Sequence, residues 1–186
     1  MTSTSTLIDS KVEAQAMLKH PFYQAWTEGR LSLDTLRDYA RQYFHHVEAF
    51  PRAVSAVHSA CPDRHGRLML AENLAEEEGV EAGKQDHATL WMMFACGLGE
   101  DESAVRAQQL NPETQGLIDR YGISDEATLR FFRVHETADV DHSLVCRDLL
   151  DRLPEAEKAE AVAAGEKLAG ALWNFLSGVE ARASVH

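Results

Sequence analysis

Apolar residues recur at intervals of three and four along almost the whole chain, whereas the strict alternation typical of β-strands is nearly absent. Such intervals return side chains to one face of an α-helix, so the pattern predicts an all-α protein. With 186 residues, of which 45% are hydrophobic, the chain is long enough to bury one substantial core. No repeat, low-complexity stretch or linker divides it, and we expect a single helical domain over residues 1–186.

Capping residues, prolines and glycines mark where the predicted helices begin and end. Ser32 and Asp63 are expected N-caps, and Pro51 is expected to kink or restart the long helix that begins at Leu33. Gly79 and Gly83 break the helix that follows Asp63. The predicted helices cover residues 11–18, 33 to about 61, 64 to about 78, 86–98, 101–110 (short and exposed), 112–121, 124–153 and 155–179.

Charge and composition narrow the class of protein. The net charge of −12 argues against binding to a phosphate backbone, so nucleic acid is not an expected partner. The longest apolar run, Leu90 to Leu98, is too short to span a bilayer, and the first six residues lack the features of a signal peptide. We therefore expect a cytoplasmic protein without a membrane partner. Cys61, Cys96 and Cys146 are far apart and are expected to be small core residues rather than disulfide or zinc ligands.

A group of metal-ligand residues lies within one predicted helix. His135, Asp139 and His142 are spaced by four and three residues, so on a helix they fall within an arc of roughly 60°. Two imidazoles and a carboxylate on one face suit iron, manganese or zinc, and the Asp139-x-x-His142 spacing occurs in carboxylate-bridged di-iron bundles. The alternative is a solvated helix face. The apolar residues that flank the motif favour a packed helix instead, where unpartnered polar groups would be costly.

A complete metal site requires ligands from other helices, and Glu77 and His87 are the best remaining candidates. Gly79 and Gly83 lie between them and could let the chain fold back. The alternatives are a solvated acidic patch for residues 76–78 and a capping or core role for His87. His45 and His46 have no partner at ligand spacing and are interpreted as packing residues or as support for the ligands.

Two other kinds of active site do not fit the sequence. A zinc protease needs His-Glu-x-x-His, but His135-Glu136 is followed by Asp139 at the position of the second histidine. No nucleophile elbow for an activated serine or cysteine is found. Chemistry between a metal and oxygen is the remaining interpretation.

Six blocks of the sequence together resemble one family. They are His20-Pro21-Phe22-Tyr23, residues 45–52 with 57–59, residues 72–78, Leu90-Trp91, Gly97-Leu98-Gly99 and residues 135–142. The resemblance is to the haem-oxygenase-like di-metal oxidases, and within them to the CADD-like branch, which makes para-aminobenzoate for folate. PqqC and TenA proteins are more distant relatives. The resemblance covers nearly the whole chain and implies a compact bundle of about seven helices.

The resemblance also implies the chemistry of the site. Its metals would be two iron ions or a mixed iron–manganese pair, which react with O2 and need a reductant; a homodimer is left open. Glu77 and His87 would bind them from one side, and the ligands within residues 135–142, His135, Asp139 and His142, from the other. Tyr23 matches the tyrosine proposed to be cleaved from the protein to supply the ring of the product. Without the resemblance, Tyr23 would be interpreted as an ordinary aromatic residue at a helix start.

The sequence departs from the family at two places. The spacing from Glu77 to His87 is about three residues longer than expected, which leaves Glu76 and Glu78 as competing ligands. One family helix of some forty residues is absent between Arg120 and Tyr121; in the family it carries a bridging glutamate and a lysine implicated in supplying nitrogen. Either the helix is deleted, or it belongs to the protein and is omitted from the 186 residues, which is the explanation we favour.

Two rival functions follow from these departures. The same metal site could oxidise a diffusible amino acid or fatty acid instead of Tyr23. If the family helix is truly deleted, a non-enzymatic helical binding protein becomes a serious alternative, because a site without its bridge would hold its second metal poorly.

Overall fold

The computed structural model describes residues 2–108, 143–144 and 146–183, and every regular element within these ranges is helical. This confirms the predicted all-α class. The α-helices are α1 Thr4–Val12, α2 Pro21–Thr27, α3 Leu33–Ala60, α4 Arg64–Glu77, α5 His87–Gly97, α6 Glu102–Ala107 and α7 Glu155–Ala183. Two 3-10 turns, Glu13–Gln15 and Met17–Lys19, separate α1 from α2, and residues 146–151 are also helical.

Helix α3 is the central element, because α4, α5, α6 and α7 all pack against it. Its N-cap is Ser32, as predicted, whose hydroxyl accepts a hydrogen bond of 3.1 Å from the backbone N–H of Thr35. Of the two effects expected of Pro51, a restart of the helix is wrong, since the helix continues from Leu33 to Ala60 with the proline inside it. A proline removes one backbone hydrogen bond, and here packing on four neighbouring helices outweighs that loss.

Aromatic rings from α2, α3, α5 and α7 form the core. Tyr39 and Tyr43 of α3 stack with ring centroids 5.2 Å apart, and Trp91 of α5 contacts both rings. The indole N–H of Trp91 donates a 2.7 Å hydrogen bond to the carbonyl of Ala40, so this buried donor is satisfied. The fully buried rings are Phe22, Tyr39, Tyr43, Phe44, Trp91, Phe94 and Phe175.

The first helix differs from its prediction. A helix over Lys11–Leu18 was expected, but α1 begins at Thr4 and ends at Val12. It begins early because the hydroxyl of Ser3 accepts a hydrogen bond from the N–H of Thr6. It ends early because a 3-10 turn follows it at Glu13–Gln15 and the backbone is then extended at Ala16, before the second 3-10 turn.

Helix α1 packs along α7 and is also tied to the helical residues 146–151. The guanidinium of Arg147 donates two hydrogen bonds, of 2.7 and 2.8 Å, to the carboxylate of Asp9. The backbone N–H of Ser5 donates a 2.7 Å hydrogen bond to Asp151, which lowers the pKa of that carboxyl. These contacts fix the segment that follows the His135–His142 motif in sequence.

The remaining helix predictions have mixed outcomes. Asp63 is the N-cap of α4, as expected, and Asp86, which was expected to be the first residue of α5, is its N-cap. Helix α6 is shorter than predicted and is not wholly exposed, because Val105 is fully buried. Helix α7 continues four residues beyond the predicted end at Val179. The predicted helix 112–121 and residues 124–142 of the next one lie outside the described ranges.

Two of the three cysteine predictions are wrong. Cys96 and Cys146 are exposed, and only Cys61 is half-buried. Core positions on α5 are instead filled by larger side chains such as Trp91 and Phe94. None of the helices in the described part of the chain combines the length and apolar character needed to cross a bilayer.

Candidate metal centre

Glu77 and His87 lie together although ten residues separate them in sequence. Glu77 is the last residue of α4 and His87 is the first residue of α5. Nδ1 of His87 lies 2.5 Å from Oε2 of Glu77, which is a short hydrogen bond. Both residues are only 4% exposed. The structure therefore holds a carboxylate and an imidazole side by side in an environment that excludes water.

The loop of residues 78–86 brings these two side chains together, as the two glycines suggested. Gly79 ends α4 with φ 61°, and its N–H and that of Val80 bond back to the carbonyls of Glu76 and Ala75. A Cβ on Gly79 would lie 2.4 Å from the backbone nitrogen of Asp86, so any larger residue would push the two helix ends apart. The fold-back therefore depends on glycine at this position.

Of the three consecutive glutamates, Glu77 is buried and bonded to His87. Glu76 is half-buried and Glu78 is exposed. The helix turns by about 100° per residue, so neighbouring side chains point in different directions. The hydrogen bond to His87 makes Glu77 the candidate that we carry into the proposal below.

The other predicted ligands, His135, Asp139 and His142, lie outside the described residues, as does the Arg120–Tyr121 junction. Within residues 2–108, 143–144 and 146–183, no group of three or more His, Cys, Asp or Glu side chains is arranged to hold a metal. The described part of the site is therefore a two-residue half-site.

Tyr23 belongs to the aromatic core that adjoins α5. It is half-buried on α2, and its hydroxyl lies 3.1 Å from that of Tyr39. Its ring is stacked on Trp26, with centroids 6.1 Å apart and planes 9° apart. Tyr39 in turn contacts Trp91, which lies one helical turn beyond His87 on α5. Hydrogen bonds and ring contacts thus connect the phenol of Tyr23 to the helix that carries His87.

Tyr39 was not identified as a functional residue from the sequence. The available signal was its four-residue spacing from Tyr43, which places both rings on one face of α3. The packing of α2 against α3 decides whether the hydroxyl of Tyr39 or that of Tyr43 contacts Tyr23. This packing cannot be read from the spacing of residues within α3.

His45 and His46 take up packing positions, in agreement with one of the two interpretations offered. His46 is 1% exposed and packs edge-on against Tyr43, with ring centroids 5.0 Å apart. Nε2 of each histidine has no hydrogen-bond partner among the described residues. Burial lowers the pKa of His46 to about 3, so its ring is neutral near pH 7.

The buried His46 should make the folded protein sensitive to acid. In an unfolded chain the pKa of this histidine is about 6.5. Below that pH the imidazole is protonated in the unfolded state but stays neutral in the folded state, so acid favours unfolding. This contribution to stability is complete above about pH 6.5 and is lost as the pH falls towards 3. The loss should reach about 3 kcal/mol at about pH 4.5.

Denaturant unfolding of the wild type and of His46→Gln, at about pH 7 and about pH 4.5, measures this loss. The variant should lose less stability between the two pH values than the wild type does. His65→Gln, which changes an exposed histidine, should behave like the wild type. Equal losses in all three proteins would show that His46 does not cause the sensitivity.

Comparison with known proteins provides an independent line of evidence. The model of the TENA/THI-4/PQQC family matches residues 9–129. A 4-aminobenzoate synthase of Chlamydia pneumoniae is 32% identical over 216 aligned positions, which cover 95% of each chain. That of Nitrosomonas europaea is also 32% identical, covering 92% of this chain and 89% of the relative. That of Chlamydia trachomatis is 27% identical, covering 91% and 88%.

The alignment with the Chlamydia pneumoniae protein has 216 positions, 30 more than the 186 residues of this chain. That relative therefore carries at least 30 residues without a counterpart in this chain. The family match covers more than half of the chain and the relatives are similar almost from end to end, so the chain belongs to the TENA/THI-4/PQQC family.

Proposed function

We propose that this protein is an O2-dependent di-metal oxygenase that makes para-aminobenzoate, also called 4-aminobenzoate, from the ring of its own Tyr23. The Cα–Cβ bond of Tyr23 would break, Cβ would be oxidised by O2 to the carboxyl carbon, and an amine donor would replace the phenolic oxygen; the family resemblance implies a lysine as that donor. The observation that carries the proposal is the buried contact between Glu77 and His87. The similarity to three 4-aminobenzoate synthases supports the choice of product.

The residues of the half-site fit the proposed metals. Carboxylate and imidazole are ligands that suit iron and manganese, and both are provided here in a buried position. Glu77 and His87 would hold the metal pair from one side, and the proposed ligands His135, Asp139 and His142 from the other. We propose two iron ions or one iron and one manganese ion. When bound, they would supply electrons for the reduction of O2, with an external reductant as the second small-molecule partner.

The protein itself positions the reacting groups and limits access of water. The buried half-site keeps solvent away from Glu77 and His87, which strengthens electrostatic interactions there. Stacking on Trp26 and the hydrogen bond with Tyr39 restrict the phenol of Tyr23 to one orientation.

An isotope experiment tests the source of the ring. The protein is produced with tyrosine that carries carbon-13 throughout the ring, then supplied with Fe(II), Mn(II), a reductant, O2 and unlabelled free tyrosine. We expect para-aminobenzoate with a fully labelled ring, and at most one molecule for each chain. Mass spectrometry of the product and of the remaining protein measures both quantities.

Other outcomes correspond to the rival functions. An unlabelled product formed repeatedly would mean that a diffusible amino acid is the substrate. O2 consumption that requires an added fatty acid would point to that substrate instead. Absence of metal binding and of O2 consumption would overturn the enzymatic proposal and leave a helical binding protein.

A further inference from the structure

The start of helix α2 is held by a buried histidine that binds two elements at once. His20 is the N-cap of α2 and is 1% exposed. Its Nδ1 accepts a 3.1 Å hydrogen bond from the backbone N–H of Phe22. Its Nε2 lies 3.0 Å from the hydroxyl oxygen of Ser177 on α7. One imidazole therefore closes the first turn of α2 and joins that turn to α7.

The partner on α7 is itself fixed. The hydroxyl of Ser177 donates a 3.1 Å hydrogen bond to the carbonyl of Trp173, one turn earlier on the same helix. The Trp173 ring packs edge-on against the imidazole of His20, with centroids 4.6 Å apart. Both the polar and the apolar surfaces of His20 thus contact α7.

These contacts determine where the histidine proton lies. Because Nδ1 accepts from a backbone N–H, it carries no proton, and the proton of the neutral ring is on Nε2. Nε2–H therefore donates to Ser177, whose own proton points to Trp173. Burial lowers the pKa of His20, and Glu180, which faces it from α7, acts in the opposite direction. The pair cannot activate Ser177 as a nucleophile, since a general base would need an unprotonated Nε2.

Shorter caps could not make the same connection. Serine, aspartate and asparagine also accept a hydrogen bond from the first turn of a helix. In His20 the accepting and donating atoms lie on opposite sides of the ring, so the side chain spans the gap between the α2 backbone and Ser177. The connection to α7 is therefore an additional property of histidine at this position.

We propose that His20 and Ser177 are positioning residues that set the orientation of α2 and, through it, the place of the Tyr23 phenol. This inference rests on the proposed function, in which Tyr23 supplies the ring. Helix α2 has only seven residues, so tertiary contacts rather than its own hydrogen bonds decide its orientation. Tyr23 lies three residues after His20, within the turn that the cap closes.

Fluorine NMR of the metal-free, full-length protein tests the proposal without relying on activity. The four tyrosines are replaced by meta-fluorotyrosine, and the Tyr23 signal is identified by its loss in Tyr23→Phe. Ser177→Ala keeps the cap of α2 but removes the hydrogen-bond acceptor on α7. His20→Asn keeps a capping side chain but is too short to reach Ser177. Both variants should shift the Tyr23 signal. Ser177→Thr retains a hydroxyl, so its Tyr23 signal should stay at the wild-type position.

Asp101→Ala is the matched control, because it removes the N-cap of α6 and leaves α2 and α7 unchanged. It should lower the unfolding temperature without moving the Tyr23 signal. In the metal-loaded protein, Ser177→Ala and His20→Asn should slow the formation of para-aminobenzoate about tenfold to a hundredfold, as expected for a misplaced reacting group. A Tyr23 signal that stays in place in both variants would overturn the proposal.

Failure of the proposed function would look different. If Tyr23→Phe still made para-aminobenzoate, Tyr23 would not be the source of the ring. The fluorine spectra would nevertheless decide whether His20 and Ser177 position it.

Discussion

Replacing Tyr23 with phenylalanine is expected to abolish the formation of para-aminobenzoate while leaving the fold and the metal content unchanged. Phenylalanine keeps the ring that stacks on Trp26 but lacks the hydroxyl group that bonds to Tyr39. Loss of this one hydrogen bond should lower the free energy of unfolding by about 1 kcal/mol. Product for each chain, metal content and the unfolding temperature are the three measurements.

Tyr39→Phe is the control for this variant. It removes the same hydrogen bond from the opposite side and leaves the Tyr23 phenol in place. We expect it to retain part of the product yield. Equal yields from Tyr23→Phe and the wild type would rule out Tyr23 as the ring donor, whereas complete loss in both variants would assign the effect to the hydrogen bond.

Replacing Glu77 with glutamine should weaken Fe(II) binding by at least about a hundredfold. Residues that only support metal ligands typically change affinity by about tenfold to a hundredfold, and a direct ligand should exceed that range. Glutamine preserves the size of the side chain and can still bond to His87, so the metal-free protein should remain folded. Anaerobic Fe(II) titration of the purified protein measures the affinity.

Glu78→Gln is matched to this change, because it removes the same charge from an exposed neighbour. It should bind Fe(II) like the wild type. If Glu77→Gln bound Fe(II) as tightly as Glu78→Gln and the wild type do, Glu77 would be excluded as a ligand. His87→Ala should behave like Glu77→Gln if the two residues form one half-site.

Local signals in the sequence were sufficient to predict much of the fold. Ser32 and Asp63 were identified as caps because a short polar side chain before an apolar-periodic segment satisfies the first N–H groups of a helix. The helix restart expected at Pro51 does not occur, for the opposite reason. Its local cost is real, but α3 is buried against four helices, and that tertiary contribution cannot be read from the neighbouring residues.

The candidate site was predictable in composition but not in geometry. Residue types alone made Glu77 and His87 candidates, yet their contact depends on a turn between two helices. The roles of Tyr39 and Ser177 depend on residues 16 and 157 positions away, so no spacing rule could have identified them. His20 was noted only as part of the block His20-Pro21-Phe22-Tyr23, because a capping histidine and a histidine that joins two helices look the same in sequence.

The glycine turn between α4 and α5 also affects how distant relatives can be recognised. Gly79 lies against the backbone of Asp86, so the two ends of the loop are already in contact. We therefore expect that relatives can differ in the length of this loop while Glu77 and His87 keep their places. A search that demands a fixed number of residues between the glutamate and the histidine would miss such relatives. A search pattern should instead require a glutamate that ends one helix, a glycine soon after it and a histidine that follows an N-cap, with the interval left free.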